Sequence, residues 1–331
     1  MHEKEVEIIR ALRGIGVKAG ETKEYISGQS LSSRLGISRA AVWKHIRNLR
    51  GMGFLIEASP SKGYSLRNEA ESFNAIGIRA ALSTEVIGKK IFFYSSIDST
   101  NIKAFELARM GEPEGTAVIA DSQSSGKGRI GRRWESPPGV NVYTSVILRP
   151  DVEPQNAQNL TFLSAVAVAE AVEAVCLRKP TVKWPNDILI DSRKVAGILM
   201  EMDSEADRVH FVIAGIGVNV NMKERMLPVP IRTIASSLAE KAGIDIDRTG
   251  FVRALYSSIE KWYRIYSSDG FGPVLNAWKG YFDAEGKPIK VTSFNSTVFG
   301  ICAGVDESGA LLVRSPSGAI IRIISGDAER G

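Results

Sequence analysis

Residues 125–134 read SGKGRIGRRW. Whether the three glycines in this stretch form a dinucleotide-binding turn decides which fold the chain can have. Gly126, Gly128 and Gly131 satisfy the pattern G-x-G-x-x-G, and residues 115–121 before them predict a strand. Asp151 supplies an acidic residue about twenty positions further on, as a dinucleotide-binding fingerprint requires. The letters alone therefore fit a dinucleotide-binding turn.

The residues that follow the stretch exclude that reading. A dinucleotide-binding turn leads directly into a helix whose amino end receives the pyrophosphate, but Pro137 and Pro138 leave no room for such a helix. A Walker loop is excluded as well, because Lys127 is followed by Gly128 instead of Ser or Thr and no glycine lies five residues before Lys127. Both common nucleotide-binding motifs therefore fail.

The remaining feature is a glycine-rich loop with a high density of positive charge. Lys127, Arg129, Arg132 and Arg133 fall within seven positions, and the glycines allow a ligand to approach the backbone closely. These cations repel one another unless anions lie between them, so the loop predicts a site for several anionic groups. A solvated basic loop is the alternative when the stretch is taken alone.

Length and composition favour a multidomain enzyme or regulator of the cytoplasm. A chain of 331 residues exceeds what one hydrophobic core usually holds, which predicts two or three domains. The most apolar stretch, residues 160–177, is interrupted by Glu170 and Glu173, so we expect neither secretion nor a membrane span. Cys176 and Cys302 have neither metal-ligand spacing nor a disulfide framework, as expected in a reducing compartment.

The net charge of +5 is concentrated in the first fifth of the chain. Residues 1–67 hold twelve Lys or Arg against six Asp or Glu, whereas the remainder holds thirty against thirty-one. This segregation predicts a separate module with an anionic partner, most simply nucleic acid.

The same segment has the pattern of a winged helix-turn-helix. Residues 3–12 and 30–35 predict two helices, and Ser38 caps a third in which Val42, Ile46 and Leu49 form one buried stripe. Residues 54–58 and 64–66 predict two strands around a wing at 59–63. The DNA-binding candidates are Ser38, Arg39, Trp43, Lys44, Arg47 and Lys62. His45 is interpreted as a surface or phosphate-contacting side chain rather than a metal ligand, and a winged helix that binds only protein remains the alternative.

A polar linker at residues 68–71 precedes a region that mixes strands with one main helix at 160–176. Regular alternation of strand and helix, as in a doubly wound sheet, is absent from the pattern. The predicted strands are 91–94, 116–120, 142–148, 188–190, 197–202 and 209–215. Further short strands are predicted at 289–292, 298–304, 311–314 and 320–324.

Small and polar residues recur at the ends of these strands, where loops carry function. The stretches are DSTN at 98–101, KWPND at 183–187, KVAGIL at 194–199 and GIGVNVN at 215–221. Together with SGKGRIGRRW, in this order, they closely resemble the biotin protein ligase family from residue 91 onward. The N-terminal winged helix resembles that of the bifunctional ligases that also repress biotin genes. Each stretch also has a structural alternative, such as a buried indole at Trp184 or glycines that only bend a strand at 215 and 217.

The resemblance implies an α+β protein of three domains. These are a winged helix-turn-helix DNA-binding domain at 1–67, a mixed-sheet catalytic domain at 68–282 resembling class II aminoacyl-tRNA synthetases, and an SH3-like β-barrel at 283–331. It further implies ATP, biotin and Mg²⁺ as substrates and cofactor, a biotin carboxyl carrier protein and operator DNA as partners, and a ligand-promoted homodimer. In the implied reaction the biotin carboxylate attacks the α-phosphorus of ATP, and a carrier lysine then attacks the resulting biotinyl-5′-AMP.

Site residues follow from matching the family motifs to this sequence. The implied catalytic residues are Lys183, Asp187, Lys194 and Arg129, with Asp187 also a candidate to support Mg²⁺. The implied biotin-binding residues are Ser99, Thr100, Asn101, Gln123, Lys127, Gly128, Arg129 and Lys194. The implied adenylate-binding residues are Gly126, Arg129, Arg132, Trp134, Lys183 and Asn219.

One departure from the family pattern is Lys127, which stands where the family loop usually has arginine. Lysine keeps the charge but lacks the bidentate fork of a guanidinium, so we expect the reactive adenylate to be released more readily. Two other functions stay open from the sequence: a lipoate-type acyl ligase, and a ligand-sensing regulator without ligase activity.

Overall fold

The computed structural model describes residues 2–14, 25–67, 73–293 and 296–330. Its backbone forms two compact units, one of Met1–Ser83 with Asp247–Arg253 and one of Thr84–Ile246 with Ala254–Gly331. The predicted linker at 68–71 lies outside the described residues, and the division at 67/68 and 282/283 stays a prediction.

The first unit contains the predicted winged helix-turn-helix. Its elements are α1 (Glu3–Leu12), α2 (Gly28–Leu35), α3 (Arg39–Gly51), β1 (Ile56–Ser59), β2 (Gly63–Leu66) and α4 (Ala75–Ala81). Val42, Ile46 and Leu49 are buried, as their spacing predicts. The turn between α2 and α3 forms at Gly36, which has a left-handed φ of 62°, and Ser38 then caps α3 by accepting a hydrogen bond from the amide of Ala41.

The interpretation of His45 as a surface side chain is wrong. Its Nδ1 lies 2.9 Å from Oε1 of Glu5, a carboxylate of α1 that is itself buried. Burial opposes the charge of Glu5, but the contact with His45 and other nearby groups hold the pKa of Glu5 below its usual range. His45 therefore fixes α3 against α1 from the inner side of the helix.

The second unit is built on a seven-stranded mixed sheet in the order β3-β4-β5-β9-β8-β7-β6. Only the β3–β4 pair is parallel, and the other neighbouring pairs are antiparallel. The strands are β3 (Ile91–Tyr94), β4 (Ala117–Ala120), β5 (Val142–Leu148), β6 (Thr181–Lys183), β7 (Asp187–Ile190), β8 (Arg193–Ser204) and β9 (Val209–Val218). Six of these seven strands were predicted, with β8 and β9 longer than the sequence indicates, and β6 was not predicted.

Five α-helices accompany this sheet, where the sequence pattern indicated one main helix. They are α5 (Thr100–Arg109), α6 (Asn159–Cys176), α7 (Leu238–Ala242), α8 (Arg248–Asp269) and α9 (Phe271–Lys279). Helix α6 with the turn before it is long and apolar enough to cross a membrane, but 72% of the apolar window is buried inside the protein. It is the core helix of the unit, since side chains on all its sides are buried.

The C-terminal residues form a five-stranded antiparallel sheet in the order β13-β12-β11-β10-β14. Four strands follow the prediction: β10 (Pro288–Thr292), β11 (Thr297–Val305), β12 (Leu311–Arg314) and β13 (Ile320–Ile323). The fifth, β14 (Asp327–Arg330), was not predicted; it pairs with β10 at the edge of the sheet. The sequence of this strand, Asp-Ala-Glu-Arg, has Ala328 as its one apolar residue and so gives no alternation from which to recognise a strand.

The turn before β12 packs on the core helix of the catalytic sheet. Gly309 has φ +83°, its carbonyl accepts a hydrogen bond from Nε1 of Trp184 at 3.0 Å, and a Cβ there would lie 2.7 Å from the ring of Phe162. The indole of Trp184 is buried, which matches the structural alternative for that residue.

We predict that Gly309→Ala lowers the free energy of unfolding by about 2–4 kcal/mol, because a positive φ and an overpacked contact both oppose the added methyl group. Gly318→Ala is the matched control: Gly318 also has a positive φ (+88°), but nothing lies within 4 Å of its Cβ position. In the control, the free energy of unfolding should fall only by the cost of a positive φ for a residue with a Cβ, about 1–2 kcal/mol. Thermal or denaturant unfolding measures both, and equal losses would contradict the packing argument.

Candidate active site

A cavity of about 660 Å³ lies over the central strands of the seven-stranded sheet. Its walls come from segments that are far apart in sequence: the start of α5, the glycine-rich loop, the strands β7, β8 and β9, the residues after β9, and β14 of the C-terminal sheet. The structure therefore brings the separate motifs of the sequence to one place.

The floor of the cavity is formed by glycines within strands. Gly215 and Gly217 both lie inside β9, which continues to Val218, whereas the sequence analysis ended the strand at Gly215. A Cβ on Gly215 would lie 2.0 Å from Oδ1 of Asn101, and one on Gly217 would lie 2.6 Å from the indole of Trp134. Only glycine at these two positions lets Asn101 and Trp134 lie flat on the sheet.

The glycine-rich loop folds back on itself. The amide of Gly128 donates to the carbonyl of Arg132 at 2.7 Å, and the amide of Trp134 donates to the carbonyl of Gly126 at 2.9 Å. A short 3₁₀ turn, Arg129–Gly131, lies at its tip. The expected absence of a phosphate-binding helix after the last glycine is confirmed, since Gly131 leads into extended backbone.

Four cationic side chains of the cavity are paired with carboxylates. Nζ of Lys194 lies 2.6 Å from Oδ1 of Asp187, and Nζ of Lys127 lies 3.2 Å from Oε1 of Glu201. Asp327 pairs with two cations. Nζ of Lys183 lies 2.9 Å from its Oδ1, and Nη2 of Arg132 lies 2.6 Å from its Oδ2. The cluster of positive charge is thereby neutralised inside the protein.

Arg129 donates its hydrogen bonds to neutral acceptors and not to a carboxylate. It donates from Nη1 to Oδ1 of Asn186 at 2.8 Å and from Nη2 to the carbonyl of Gly326 at 3.1 Å. Burial lowers the pKa of Arg129, although the carboxylates of Asp187 and Asp327 oppose that shift. An arginine stays protonated at any physiological pH, so the site contains a partly desolvated positive charge.

Asp327 is a site residue that the sequence analysis missed. Its side chain is largely withdrawn from solvent, which opposes ionisation, but contacts with Lys183 and Arg132 hold its pKa below the usual range. Because it lies on the unpredicted strand β14, no local signal marked it. Asn186 was also missed, although it lies within the KWPND stretch.

A chain of polar side chains runs beneath the cavity. Oε1 of Gln123 accepts from the amide and hydroxyl of Thr100, and the Thr100 hydroxyl lies 2.8 Å from that of Ser145. Ser145 donates to Oδ1 of Asn101 at 2.6 Å, and Nδ2 of Asn101 donates to Oε2 of Glu201 at 2.8 Å. Glu201, a third missed residue, thus connects this buried chain to Lys127 of the loop.

Trp134 and Asn219 line the remaining part of the cavity. Nζ of Lys194 lies 5.3 Å from the centre of the Trp134 indole. The Nε1 donor of Trp134 is buried against the sheet, where a Cβ on Gly217 would lie 2.6 Å from it, and it makes no hydrogen bond among the described residues. Asn219 is buried and donates to the carbonyl of Ser236 at 3.0 Å.

Most residues matched from the family motifs line this one cavity. They are Ser99, Thr100, Asn101, Gln123, Lys127, Gly128, Arg129, Arg132, Trp134, Lys183, Asp187, Lys194 and Asn219. Gly126 does not line it and instead supports the backbone of Trp134. Within the described ranges no three His, Cys, Asp or Glu side chains cluster closely enough to hold a metal ion.

The DNA-binding candidates belong to the first unit. Arg39, Trp43, Lys44 and Arg47 are exposed on α3, and Lys62 is exposed at the wing. The hydroxyl of Ser38 caps the helix.

Comparison with known protein families identifies all three parts of the chain. Residues 93–219 match the Biotin/lipoate A/B protein ligase family, residues 20–65 match an HTH domain, and residues 286–331 match the Biotin protein ligase C terminal domain.

Individual relatives match over nearly the whole length. The bifunctional ligase/repressor BirA of Bacillus subtilis is 43% identical over 308 residues, which is 93% of this chain and 94% of the relative. Its counterpart in Escherichia coli is 34% identical over 88% of each chain. Among solved structures, the biotin protein ligase from Aquifex aeolicus in complex with biotin and ATP is 28% identical, with a TM-score of 0.64 over 73% of this chain and 100% of that one. The chain therefore belongs to the biotin protein ligase family, and it has the domain composition of the bifunctional ligase/repressors.

Proposed function

We propose that this protein forms biotinyl-5′-AMP from biotin and ATP, transfers biotin to a lysine of a biotin carboxyl carrier protein, and represses transcription in response to the adenylate. The observation that carries the ligase part is the convergence of Lys127, Arg129, Lys183 and Lys194 on one cavity. A reaction between two anions needs such a site, because the reactants repel each other until positive charge lies between them.

Biotin occupies the end of the cavity floored by α5 and the glycines of β9. Ser99, Thr100 and Gln123 present hydroxyl and amide groups that suit the polar ring of biotin, while Gly215 leaves room for the side chain of Asn101 on the sheet. The carboxylate of biotin then points toward Lys194 and the loop. Asn101 holds the floor in place through its contacts with Ser145 and Glu201.

In the first step an oxygen of the biotin carboxylate bonds to the α-phosphorus of ATP, and the bond from that phosphorus to the leaving pyrophosphate breaks. Lys183, Lys194 and Arg129 neutralise the charge that collects around the phosphorus. For this Lys194 exchanges Asp187 for phosphate oxygens, and Lys183 likewise exchanges Asp327. Arg129 exchanges its neutral acceptors on Asn186 and Gly326. Positioning the two reactants accounts for the remainder of the rate enhancement.

In the second step the amine of the carrier lysine attacks the carbonyl carbon of the adenylate, AMP leaves with the bonding electrons, and the nitrogen loses a proton. The indole ring of Trp134 and Asn219, which both line the cavity, hold the nucleotide in this step. The loop covers the anhydride and excludes water, which would otherwise hydrolyse it.

A Mg²⁺ ion fits this site only as a companion of the ATP phosphates. Magnesium is commonly held by substrate phosphates, water and one or two carboxylates. Asp187 is the carboxylate that lies nearest the reacting groups, and its present partner is Lys194. When bound, the ion would supply further neutralisation of the phosphates.

The ligase activity is tested with purified protein, ATP, labelled biotin and a carrier domain. We expect incorporation of biotin and none of lipoate, and Lys194→Gln should lower the rate of adenylate formation by about 100-fold because a preorganised charge is lost. Lys287→Gln, which removes a lysine outside the cavity, should keep the wild-type rate. Lipoate transfer, or full activity of Lys194→Gln, would contradict the proposal.

The unusual Lys127 gives a second prediction. Lys127→Arg should slow dissociation of the adenylate by roughly tenfold, because a guanidinium can bond to Glu201 and the ligand at once and one added charge-assisted bond contributes about 1.5 kcal/mol. In a Glu201→Gln background, Lys127→Arg should slow dissociation of the adenylate by a smaller factor, as expected for coupled groups in a double-mutant cycle. Release is followed by stopped-flow fluorescence, and equal rates for wild type and Lys127→Arg would reject the idea.

The repressor function requires the adenylate to control DNA binding, and we propose that it does so by promoting a homodimer. Strand β8 supports this, since its second half, residues 198–204, pairs with β9 but has no strand partner on its other side among the described residues. An exposed strand edge next to the ligand site is suited to pair with a second copy. The dimer would read two half-sites of an operator in the cytoplasm.

A gel shift on DNA upstream of the protein's own coding sequence tests the coupling. Biotin and ATP together should raise DNA affinity at least tenfold, corresponding to a coupling of about 1.4 kcal/mol. Lys194→Gln, which forms the adenylate about 100-fold more slowly, should bind DNA equally with and without the substrates when the mixture is assayed as soon as the wild type has formed its adenylate. Identical binding by wild type in both conditions would remove the proposed coupling.

A further inference from the structure

The exposed face of α3 carries one large aromatic side chain, Trp43, amid cations. Its side chain is 53% exposed, although the helix buries Val42 and Ile46 on its other face. Arg39, Lys44 and Arg47 are exposed around it, and the helix contains no acidic residue. Trp and Arg are among the residues that contribute most to binding at interfaces, so an exposed indole within a cationic face is suited to contact a partner.

Arg47 lies one helical turn beyond Trp43 and packs on it. The guanidinium carbon is 5.0 Å from the centre of the indole, within the range of a cation–π contact. Stacking orients the planar fork of the guanidinium before any ligand binds, so less conformational entropy is lost when the fork forms two hydrogen bonds.

The rotation of α3 about its own axis is fixed from the opposite side. His45 contacts the buried carboxylate of Glu5 at 2.9 Å, and Val42 and Ile46 are almost wholly buried. Trp43 and Arg47 therefore project together from the outer side of the helix, in its first half and middle, where recognition helices contact base edges.

From this arrangement we propose that Trp43 and Arg47 act as one reading unit, in which the indole packs on the methyl group of a thymine and the guanidinium bonds to O6 and N7 of a guanine in a neighbouring base pair. The proposal rests on the DNA-binding function proposed above and specifies what the recognition helix reads.

The chemistry of the major groove favours this assignment over a phosphate contact. The methyl group of thymine is the apolar group that the major groove presents, and it is the natural partner of an apolar ring. A guanine offers two acceptors at the spacing of an arginine fork. Arg39 and Lys44, which do not stack on the indole, are left to contact phosphates.

The test begins with an operator selected from random duplexes by the protein with biotin and ATP. Each thymine of a half-site is then replaced singly by deoxyuridine, which removes the methyl group and keeps every hydrogen bond. At one thymine the wild type should lose roughly fourfold in affinity, about the effect of one buried methyl-sized group. Trp43→Ala should bind the operator more weakly than the wild type. Its affinity should not fall further when that thymine is replaced by deoxyuridine.

Two further variants complete the design. Lys44→Ala, the matched control, should weaken binding to all sequences and keep the deoxyuridine effect. Arg47→Lys keeps the charge but should reduce discrimination at one G·C pair by about tenfold, since the bidentate bond is lost. Because α3 and the catalytic cavity belong to different compact units, folding of each variant is checked by thermal unfolding followed by circular dichroism, and an unchanged unfolding transition confirms that it is folded.

Each outcome is decisive. If no deoxyuridine position affects the wild type, or if Trp43→Ala keeps the effect, the indole does not read a methyl group and the proposal is overturned. If Arg47→Lys discriminates G·C as the wild type does, the guanidinium part is overturned. Failure of the selection to yield any preferred sequence would contradict the DNA-binding function itself, which is a separate result.

Discussion

The structure depends on keeping several positive charges close together when no substrate is present. Asp187, Asp327 and Glu201 make this possible, because each carboxylate holds one or two cations of the cavity. The carboxylates reduce the repulsion between these partly exposed cations and occupy the place that the substrate anions would take. A phosphate that enters the site replaces an existing partner and does not have to assemble the cluster.

This arrangement explains why the C-terminal sheet belongs to the same compact unit as the catalytic sheet. Asp327 and the carbonyl of Gly326 come from its edge and contact Lys183, Arg132 and Arg129. The packing of Gly309 against Phe162 holds that edge at the cavity. Stability of the C-terminal sheet and charge balance of the site are therefore linked through the same contacts.

The sequence predicted the parts that depend on local patterns. The winged helix, the strands β3 to β5 and β7 to β9, and the loop without a following helix all follow from periodicity, caps and prolines, whereas the three-residue strand β6 was missed. It did not predict Asp327 or Glu201, because their roles come from pairing across the fold and neither lies in a motif. His45 was misread for the same reason, since its partner Glu5 lies on another helix. The predicted strand ended at Gly215 and left Gly217 outside it. Nothing in the local sequence shows that these glycines make room for the side chains of Asn101 and Trp134 within a strand.

Glu201 connects the two proposed functions physically. Its carboxylate binds Lys127 of the loop and Asn101 of the cavity floor, and its backbone belongs to the half of β8 that lacks a second strand partner. A ligand that draws Lys127 away leaves a negative charge beside that edge, so occupancy of the site alters the surface on which a dimer would form. Because coupling between sites is reciprocal, DNA that favours the dimer must also favour retention of the adenylate. Transfer of biotin to the carrier consumes the adenylate, and an abundant carrier therefore works against repression through mass action alone.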